Sequence, residues 1–253
     1  MNFFYGINNS NFSSELQIPK FQNRNLYPDN IKLYMAHPDN KKWQIEEFKN
    51  KKINEDFYFL DKQEINSNYI FFLAYESDFN NYDYQELKNF NNFTNTAPAY
   101  RANFKIFLNN GGFSSYQSEY PYEMVSKKGT ILSSISSIAN KNAEKNYIFI
   151  RNIFFKPVHE NFNAYLVNIN LGKVEDEFVI KTNYTNYFEI RNSLIKPEIF
   201  LVTKEFLGIP MYVSTNKNHV SFEHTHPPHE YILSQNKFKK ISELKKEVNE
   251  IIS

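Results

Sequence analysis

The chain contains no cysteine, which excludes disulfide bonds, thiolate metal sites and a cysteine nucleophile. Glycine is scarce, with 6 residues among 253, and neither glycine-rich phosphate-binding motif occurs, so we expect no nucleotide cofactor. Apolar runs stay shorter than the ~18–20 residues that a membrane helix needs. The first residues also lack the layout of a signal peptide. These absences predict a cytoplasmic protein that does not bind a membrane.

A strong imbalance of charge is missing as well. The 29 basic and 28 acidic residues give a formal net charge of +1. This balance indicates no basic surface for nucleic acid or anionic lipid. Aromatic residues are abundant instead, with 25 Phe and 18 Tyr, which is typical of a folded chain with a sizeable core. The sequence shows no internal repeat, and its length fits one large domain or two small ones.

The first hundred residues alternate between two kinds of pattern. Strands are predicted at residues 31–36, 57–60 and 69–75, and helices at residues 41–52 and 82–92. The first helix rests on Glu47 and Lys51, whose i,i+4 spacing supports helical structure. We therefore predict a small α/β or α+β unit over residues 1–98. Its boundary is the polar segment 92–98.

Residues 99–253 are predicted to form a β-rich domain. The predicted strands are 102–108, 147–155, 163–171, 177–190, 199–203, 208–215 and 219–226. Their number and spacing favour an antiparallel sandwich or barrel. Apolar stripes predict a helix at 130–140 and a C-terminal helix through Phe238, Leu244 and Val248 that closes the domain. The predicted fold class is therefore α+β and mostly β, with one continuous domain as the alternative to two.

The densest group of chemically active side chains is His224-Thr-His226-Pro-Pro-His229-Glu230, which holds three of the 6 histidines. Imidazole and carboxylate groups bind transition metals, and imidazole also transfers protons near neutral pH. The spacing of His224, His226 and Glu230 is similar to that of the first metal motif of the cupin family. The glycines that flank that motif are absent, so the likeness is one of spacing and we assign no family.

Local structure is expected to bring these groups together. Extended runs lie on both sides of the turn-prone segment 216–218, which predicts a β-hairpin. Along its second strand, His224 and His226 continue the apolar face, about 6–7 Å apart. A proline pair then ends the strand and suits the first turn of a helix. That helix would carry His229 and Glu230 back towards the end of the strand.

A second polar segment follows Gly111-Gly112. There Tyr116, Gln117, Glu119 and Tyr120 alternate aromatic rings with amide and acid groups. Aromatic rings beside amides and acids can grip a sugar. The same composition also forms ordinary protein contact surfaces or a structured connection between elements.

Two functions of different class follow. The first is a metal-dependent enzyme or metal-binding domain, in which Zn²⁺, Fe²⁺ or Mn²⁺ polarises water or a carbohydrate-like small molecule. Its candidate residues are the metal ligands His224, His226 and Glu230, the catalytic groups His229, Glu230 and Glu119, and the substrate contacts Tyr116, Gln117 and Tyr120. The alternative is a non-catalytic module that binds a glycan or a protein partner, with the histidines as a structural strand cap. The cost of burying unsatisfied imidazoles favours the first.

Overall fold

The computed structural model describes residues 2–20, 31–49, 54, 56–80, 82–87, 101–125, 129–204, 207–224 and 234–253. Strands make up 49% of the structure and helices 12%, so the chain is mostly β. The main sheets are antiparallel, and an α-helix lies near the C terminus. The predictions of a β-rich antiparallel chain and of a C-terminal helix are therefore confirmed.

The chain divides into two compact units. Unit 1 comprises Met1–Ser126, Asn152–His159 and Thr182–Thr185, and unit 2 comprises Lys127–Arg151, Glu160–Lys181 and Asn186–Ser253. The boundary predicted between residues 98 and 99 falls outside the described residues and stays a prediction.

The first half of the chain forms three antiparallel sheets. Its strands are β1 (Asn2–Phe3), β2 (Phe12–Pro19), β3 (Ile31–Asp39), β4 (Lys42–Glu47), β5 (Phe57–Leu60), β6 (Ile70–Tyr75), β7 (Ala102–Leu108), β8 (Phe113–Ser118) and β9 (Tyr120–Pro121). The strand orders are β5-β2-β7-β8, β4-β3-β6 and β1-β9. Phe4, just after β1, bridges Phe71 of β6 and so extends the second sheet. Short 3-10 turns lie at Glu76–Phe79 and Tyr122–Met124.

The second half forms two four-stranded sheets and the helix. Its elements are β10 (Leu132–Ser134), β11 (Lys145–Arg151), β12 (Asn161–Asn168), β13 (Lys173–Lys181), β14 (Thr185–Ile190), β15 (Ile199–Thr203), β16 (Ile209–Asn216), β17 (His219–His224) and α1 (Lys237–Ile251). The strand orders are β10-β15-β12-β13 and β14-β11-β16-β17. A 3-10 turn lies at Asn192–Leu194.

Both halves share one strand topology. Adding nine to each strand number turns β5-β2-β7-β8 into β14-β11-β16-β17, and β4-β3-β6 into β13-β12-β15. The first strands agree in part: Phe4, the residue after β1, makes an isolated bridge to β6, whereas β10 pairs with β15 over three residues. The chain therefore contains a structural repeat that its sequence does not show.

Alternation of side chains decides which face of the sheet β5-β2-β7-β8 is buried. In β2 the side chains of Phe12, Leu16 and Ile18 are at most 1% exposed. Glu15 and Gln17 lie on the opposite face and are partly exposed. Since successive residues of a strand point to opposite faces, this sheet has one apolar inner face and one polar outer face.

In unit 2 the helix and both sheets are in contact. A hydrogen bond of 2.7 Å between the hydroxyls of Ser133 in β10 and Tyr212 in β16 joins the two sheets. On the other face of the sheet that contains β10, α1 packs through Val248, which is 0% exposed, against Leu132, Val167 and Val202. Phe238, which the sequence placed on the apolar stripe of this helix, is 66% exposed.

The predicted helices before the C terminus are wrong wherever the structure describes them. Residues 42–47 form strand β4, in which Trp43 is 1% exposed between exposed neighbours, a period of two. The segment 130–140 forms β10 and turns, and residues 82–87 form turns. The described residues of unit 1 contain no α-helix, so the α/β character predicted for residues 1–98 is not confirmed.

The single strand predicted over 177–190 is broken at Asn183, which adopts a left-handed conformation with φ of 53°. Its side chain is buried and accepts a hydrogen bond of 2.8 Å from the Phe154 N–H. It also donates two hydrogen bonds of 2.9 Å to the carbonyls of Lys156 and Val158. Because this side chain uses both of its donors and its oxygen within unit 1, it fixes the turn between β13 and β14.

We expect Asn183→Ala to lower the free energy of unfolding by about 3 kcal/mol, because three side-chain hydrogen bonds are worth ~1 kcal/mol each. Alanine also tolerates a positive φ less well than asparagine. Urea denaturation measures the change. Asn170→Ala, at an exposed asparagine in the turn between β12 and β13, is the matched control and should stay within ~0.5 kcal/mol of wild type. Equal stability of the two variants would contradict this role.

The phenol of Tyr58 in β5 makes the stability of unit 1 depend on pH. Burial raises the pKa of its phenol, and a hydrogen bond with the Leu33 backbone in β3 offsets part of that rise. Folding therefore favours the neutral phenol, and its contribution to stability is present below the unfolded pKa of ~10. That contribution is lost as the pH rises through the raised folded pKa. Above that pH we expect the free energy of unfolding of wild type to fall relative to that of Tyr58→Phe. Urea denaturation at a series of pH values measures both. A pH-independent difference would show that the phenol does not titrate in this way.

Candidate functional site

The hairpin that carries His224 forms as the sequence predicted. Strands β16 and β17 pair in antiparallel register around a turn in which Lys217 has a φ of 52°. In β17 Phe222 is buried, whereas His219, Ser221 and Glu223 are exposed. His224 is half-buried and lies opposite Met211. His224 therefore continues the apolar face of its strand.

The metal site predicted around this hairpin is not found. His226, His229 and Glu230 lie outside the described residues. In the part of the chain that the structure describes, no group of three or more His, Cys, Asp or Glu side chains could hold a metal ion. Glu223, the carboxylate nearest in sequence to His224, occupies the opposite face of β17 and accepts a hydrogen bond of 3.2 Å from the His224 N–H.

This finding contradicts the predicted function. We had expected a His/Glu metal or catalytic site in a protein that acts on or binds a carbohydrate-like small molecule. The described residues give no support to such a centre, because they contain no group of three or more potential metal ligands, and Glu223 lies on the face of β17 opposite His224. A metal-dependent reaction is therefore not part of the function we propose.

The second predicted segment is divided between surface and core. Tyr116 and Gln117 lie in β8 and are partly exposed. Gln117 accepts a hydrogen bond of 2.5 Å from Arg101, whose Nε lies 2.9 Å from a carboxylate oxygen of Glu119. Tyr120 is 0% exposed. Glu119 is therefore ion-paired and Tyr120 belongs to the core, and the roles predicted for these four residues stay predictions.

A different surface of unit 1 combines the features of a binding site. It is the outer face of the sheet β5-β2-β7-β8, and we call it the open face. Its residues are Ser13, Glu15, Gln17, Phe57, Phe59, Asn103, Lys105, Phe107, Phe113, Ser115 and Gln117. Cross-strand pairing places Phe59, Gln17, Asn103 and Gln117 in one continuous row.

Phenylalanine rings lie at both ends of the open face. The centroids of Phe57 and Phe59 are 5.7 Å apart, and those of Phe107 and Phe113 are also 5.7 Å apart. The Lys105 ammonium lies 4.1 Å from the centroid of Phe113, within the range of a cation–π contact. Phe113 is nevertheless 57% exposed, so much of its apolar surface faces solvent.

Charges on the open face compensate one another. The Lys105 ammonium lies 3.9 Å from a carboxylate oxygen of Glu15, and the Arg101–Glu119 pair adjoins the face at the end of β8. Two neighbouring depressions, of about 390 and 410 Å³, share Glu15 and Asp61 in their walls. The face is thus a shallow, nearly neutral groove with apolar ends.

The corresponding face of unit 2 is closed. On the sheet β14-β11-β16-β17, this face carries Tyr147, Phe149, Met211, Val213 and Phe222, none more than 5% exposed. The same strand order therefore presents a mostly polar surface in one unit, and in the other a face whose central aromatic and aliphatic side chains are buried, while Lys145 at its edge stays exposed. Sequence reasoning missed the open face because β2 was not predicted, although Glu15 and Gln17 already alternate with Leu16 and Ile18.

Comparisons with known proteins do not assign a family or a function to this chain. No protein-family model matches the chain, and neither a curated protein nor a solved structure matches it. Among the described helices, none combines the length and apolar character required to cross a membrane. The surfaces of the chain itself are therefore the basis on which its function is inferred.

Two aromatic substitutions are expected to distinguish a core side chain from a surface side chain by their effect on stability. We expect Tyr120→Ala to lower the free energy of unfolding by about 3–5 kcal/mol, as loss of a buried aromatic ring does. Phe113→Ala should cost less than ~1 kcal/mol, since its ring is mostly exposed. Thermal or urea unfolding of both variants measures the difference. Similar losses in the two variants would show that Phe113 is part of the folding core and not a surface group.

Proposed function

We propose that this protein is a binding protein, and that the open face of unit 1 holds an extended segment of a partner polypeptide. The observation that carries the proposal is the pair of phenylalanine clusters on an otherwise polar sheet face, with Phe113 57% exposed. Apolar surface rimmed by polar groups is typical of interaction sites. The exposed part of the Phe113 ring contributes little to the folding of unit 1, so a role in recognition explains it.

The row of amides supports a polypeptide partner. Gln17, Asn103 and Gln117 are cross-strand neighbours, and each carboxamide carries both a donor and an acceptor. A peptide group has the same pair of functions, so the row can match the backbone of an extended chain. The flanking phenyl rings carry no polar atom and therefore suit apolar side chains of that chain.

The charges support the same class of partner. Glu15 and Lys105 are paired, as are Arg101 and Glu119, so the face presents both signs without a net field. A polyanion would require an excess of positive charge. A polypeptide with charged side chains of both signs can form new ion pairs with these four residues. Such pairs contribute more to specificity than to long-range attraction.

We further propose that the two sheets of each unit pack as a β-sandwich, which would give the open face a rigid support. In unit 1, Tyr58 of β5 hydrogen-bonds the backbone of Leu33 in β3. In unit 2, Ser133 and Tyr212 join the two sheets. Contacts of this kind between sheets are expected when inner faces interdigitate. A binding surface on such a layer keeps its shape without a ligand.

The test begins with a phage-displayed library of random peptides that is panned against the wild-type chain. We expect enriched peptides whose affinity, measured by calorimetry, falls about 30-fold in Phe113→Ala, since truncating an aromatic hot-spot residue at an interface costs ~2 kcal/mol. The loss should occur with the unfolding midpoint of the variant unchanged.

Phe238→Ala is the matched control, because Phe238 is 66% exposed on α1 of unit 2 and is not one of the residues of the open face. This variant should bind the selected peptides as wild type does. Peptides that bind Phe113→Ala with full affinity would overturn the proposal, as would a library without enrichment. Oligosaccharide binding that depends on Phe113, with no peptide selected, would overturn the assignment of a protein partner.

A further inference from the structure

Strand β8 forms an edge of its sheet, in the order β5-β2-β7-β8. Its six residues, Phe-Ser-Ser-Tyr-Gln-Ser, include no charged residue and no proline. Proteins usually protect sheet edges with charges, prolines, bulges or very short strands, because an unprotected edge pairs with other strands. β8 carries none of these protections within its bounds.

The other edge strands among the described residues differ from β8. Charged residues lie within β4, β13, β14 and β17, whereas β5 and β10 have four residues or fewer. β6 is uncharged, but it is mostly buried and its outer edge pairs with Phe4. β8 is therefore the one long, exposed and uncharged edge in the part of the chain that the structure describes.

Hydrogen bonding in the β7–β8 hairpin fixes which backbone groups of β8 face outward. The Leu108 N–H donates to the Gly112 carbonyl at 3.0 Å, and the register places Phe107 opposite Phe113. Because hydrogen-bonded and non-hydrogen-bonded pairs alternate along an antiparallel ladder, the backbone groups of Phe113 and Ser115 point away from β7. A further strand would pair at these positions.

We infer that a second copy of this chain pairs with β8 in antiparallel orientation, about a two-fold axis at Ser115. In this register Ser115 lies opposite Ser115 of the second copy, and Phe113 lies opposite Gln117. No like charges meet, and the side chain on the axis is small. An uncharged strand is complementary to itself in this way, which a two-fold interface requires.

This pairing joins two sheets into one of eight strands. The two-fold axis is perpendicular to the sheet, so both open faces lie on the same side and become continuous across the new pair. The side chains of Phe113 and Ser115 from both copies then occupy the middle of the combined face. Pairing through β8 does not depend on the proposed peptide binding, and the two are measured separately.

Sedimentation velocity over a range of concentrations tests the inference. Wild type is expected to approach twice its monomer mass of 30.2 kDa. Ser115→Lys places two ammonium groups opposite each other on the axis, and we expect at least a ~10-fold weaker dimer. Ser221→Lys, at an exposed serine of edge strand β17 in unit 2, is the matched control and should dimerise as wild type does.

The absence of cysteine permits a second, independent measurement. Ser115→Cys would contain a single thiol. Facing Cα atoms of a hydrogen-bonded pair are ~5.5 Å apart, within the ~4.4–6.8 Å range that disulfides span. We expect disulfide-linked dimers under mild oxidation, formed faster than in Ser221→Cys.

Any one of the following results would overturn the inference. The first is a wild-type chain that stays at 30.2 kDa at the highest concentration that remains in solution. The second is a dimer that Ser115→Lys does not weaken while its circular dichroism matches wild type. The third is cross-linking of Ser115→Cys no faster than that of Ser221→Cys. Pairing of β8 with a strand of an unrelated protein, in a monomeric chain, would equally exclude a second copy as the occupant.

Discussion

Antiparallel pairing of strands that each bury one face is the constraint on which the rest of this structure depends. A strand can satisfy its backbone N–H and C=O groups only through its neighbours, and this chain is built mostly of strands. A shift of one residue in β2 would carry Leu16 and Ile18 outward and bring Glu15 inward. The inner apolar residues thus hold the register that keeps the open face polar and in place.

Sequence patterns identified those strands that alternate or carry aromatic runs, such as residues 57–60 and 102–108. They failed at residues 41–52, because charges spaced for a helix also fit an exposed strand face, and only the burial of Trp43 between exposed neighbours distinguishes the two. The break within 177–190 depended on the left-handed Asn183, whose hydrogen-bond partners lie more than 20 residues away. Long-range partners of this kind leave no local signal.

Composition directed attention to the histidines, and local patterning placed His224 correctly on its strand. Composition does not reveal whether ligands converge, and among the described residues, which leave out His226, His229 and Glu230, no metal-binding group is found. The open face was harder to foresee, since Gln17, Asn103 and Gln117 become neighbours only when β2, β7 and β8 pair. A surface assembled from separate strands becomes visible only once the sheet order is known.

The repeated topology has a consequence for which positions tolerate substitution. On the sheet β14-β11-β16-β17, residues such as Phe149 and Val213 are buried, so their size and polarity are constrained by packing. On the open face of unit 1, Glu15, Gln17 and Phe113 are partly or mostly exposed, so packing constrains these positions less. One strand order therefore provides a face that folding fixes and a face whose side chains can be exchanged without loss of the fold.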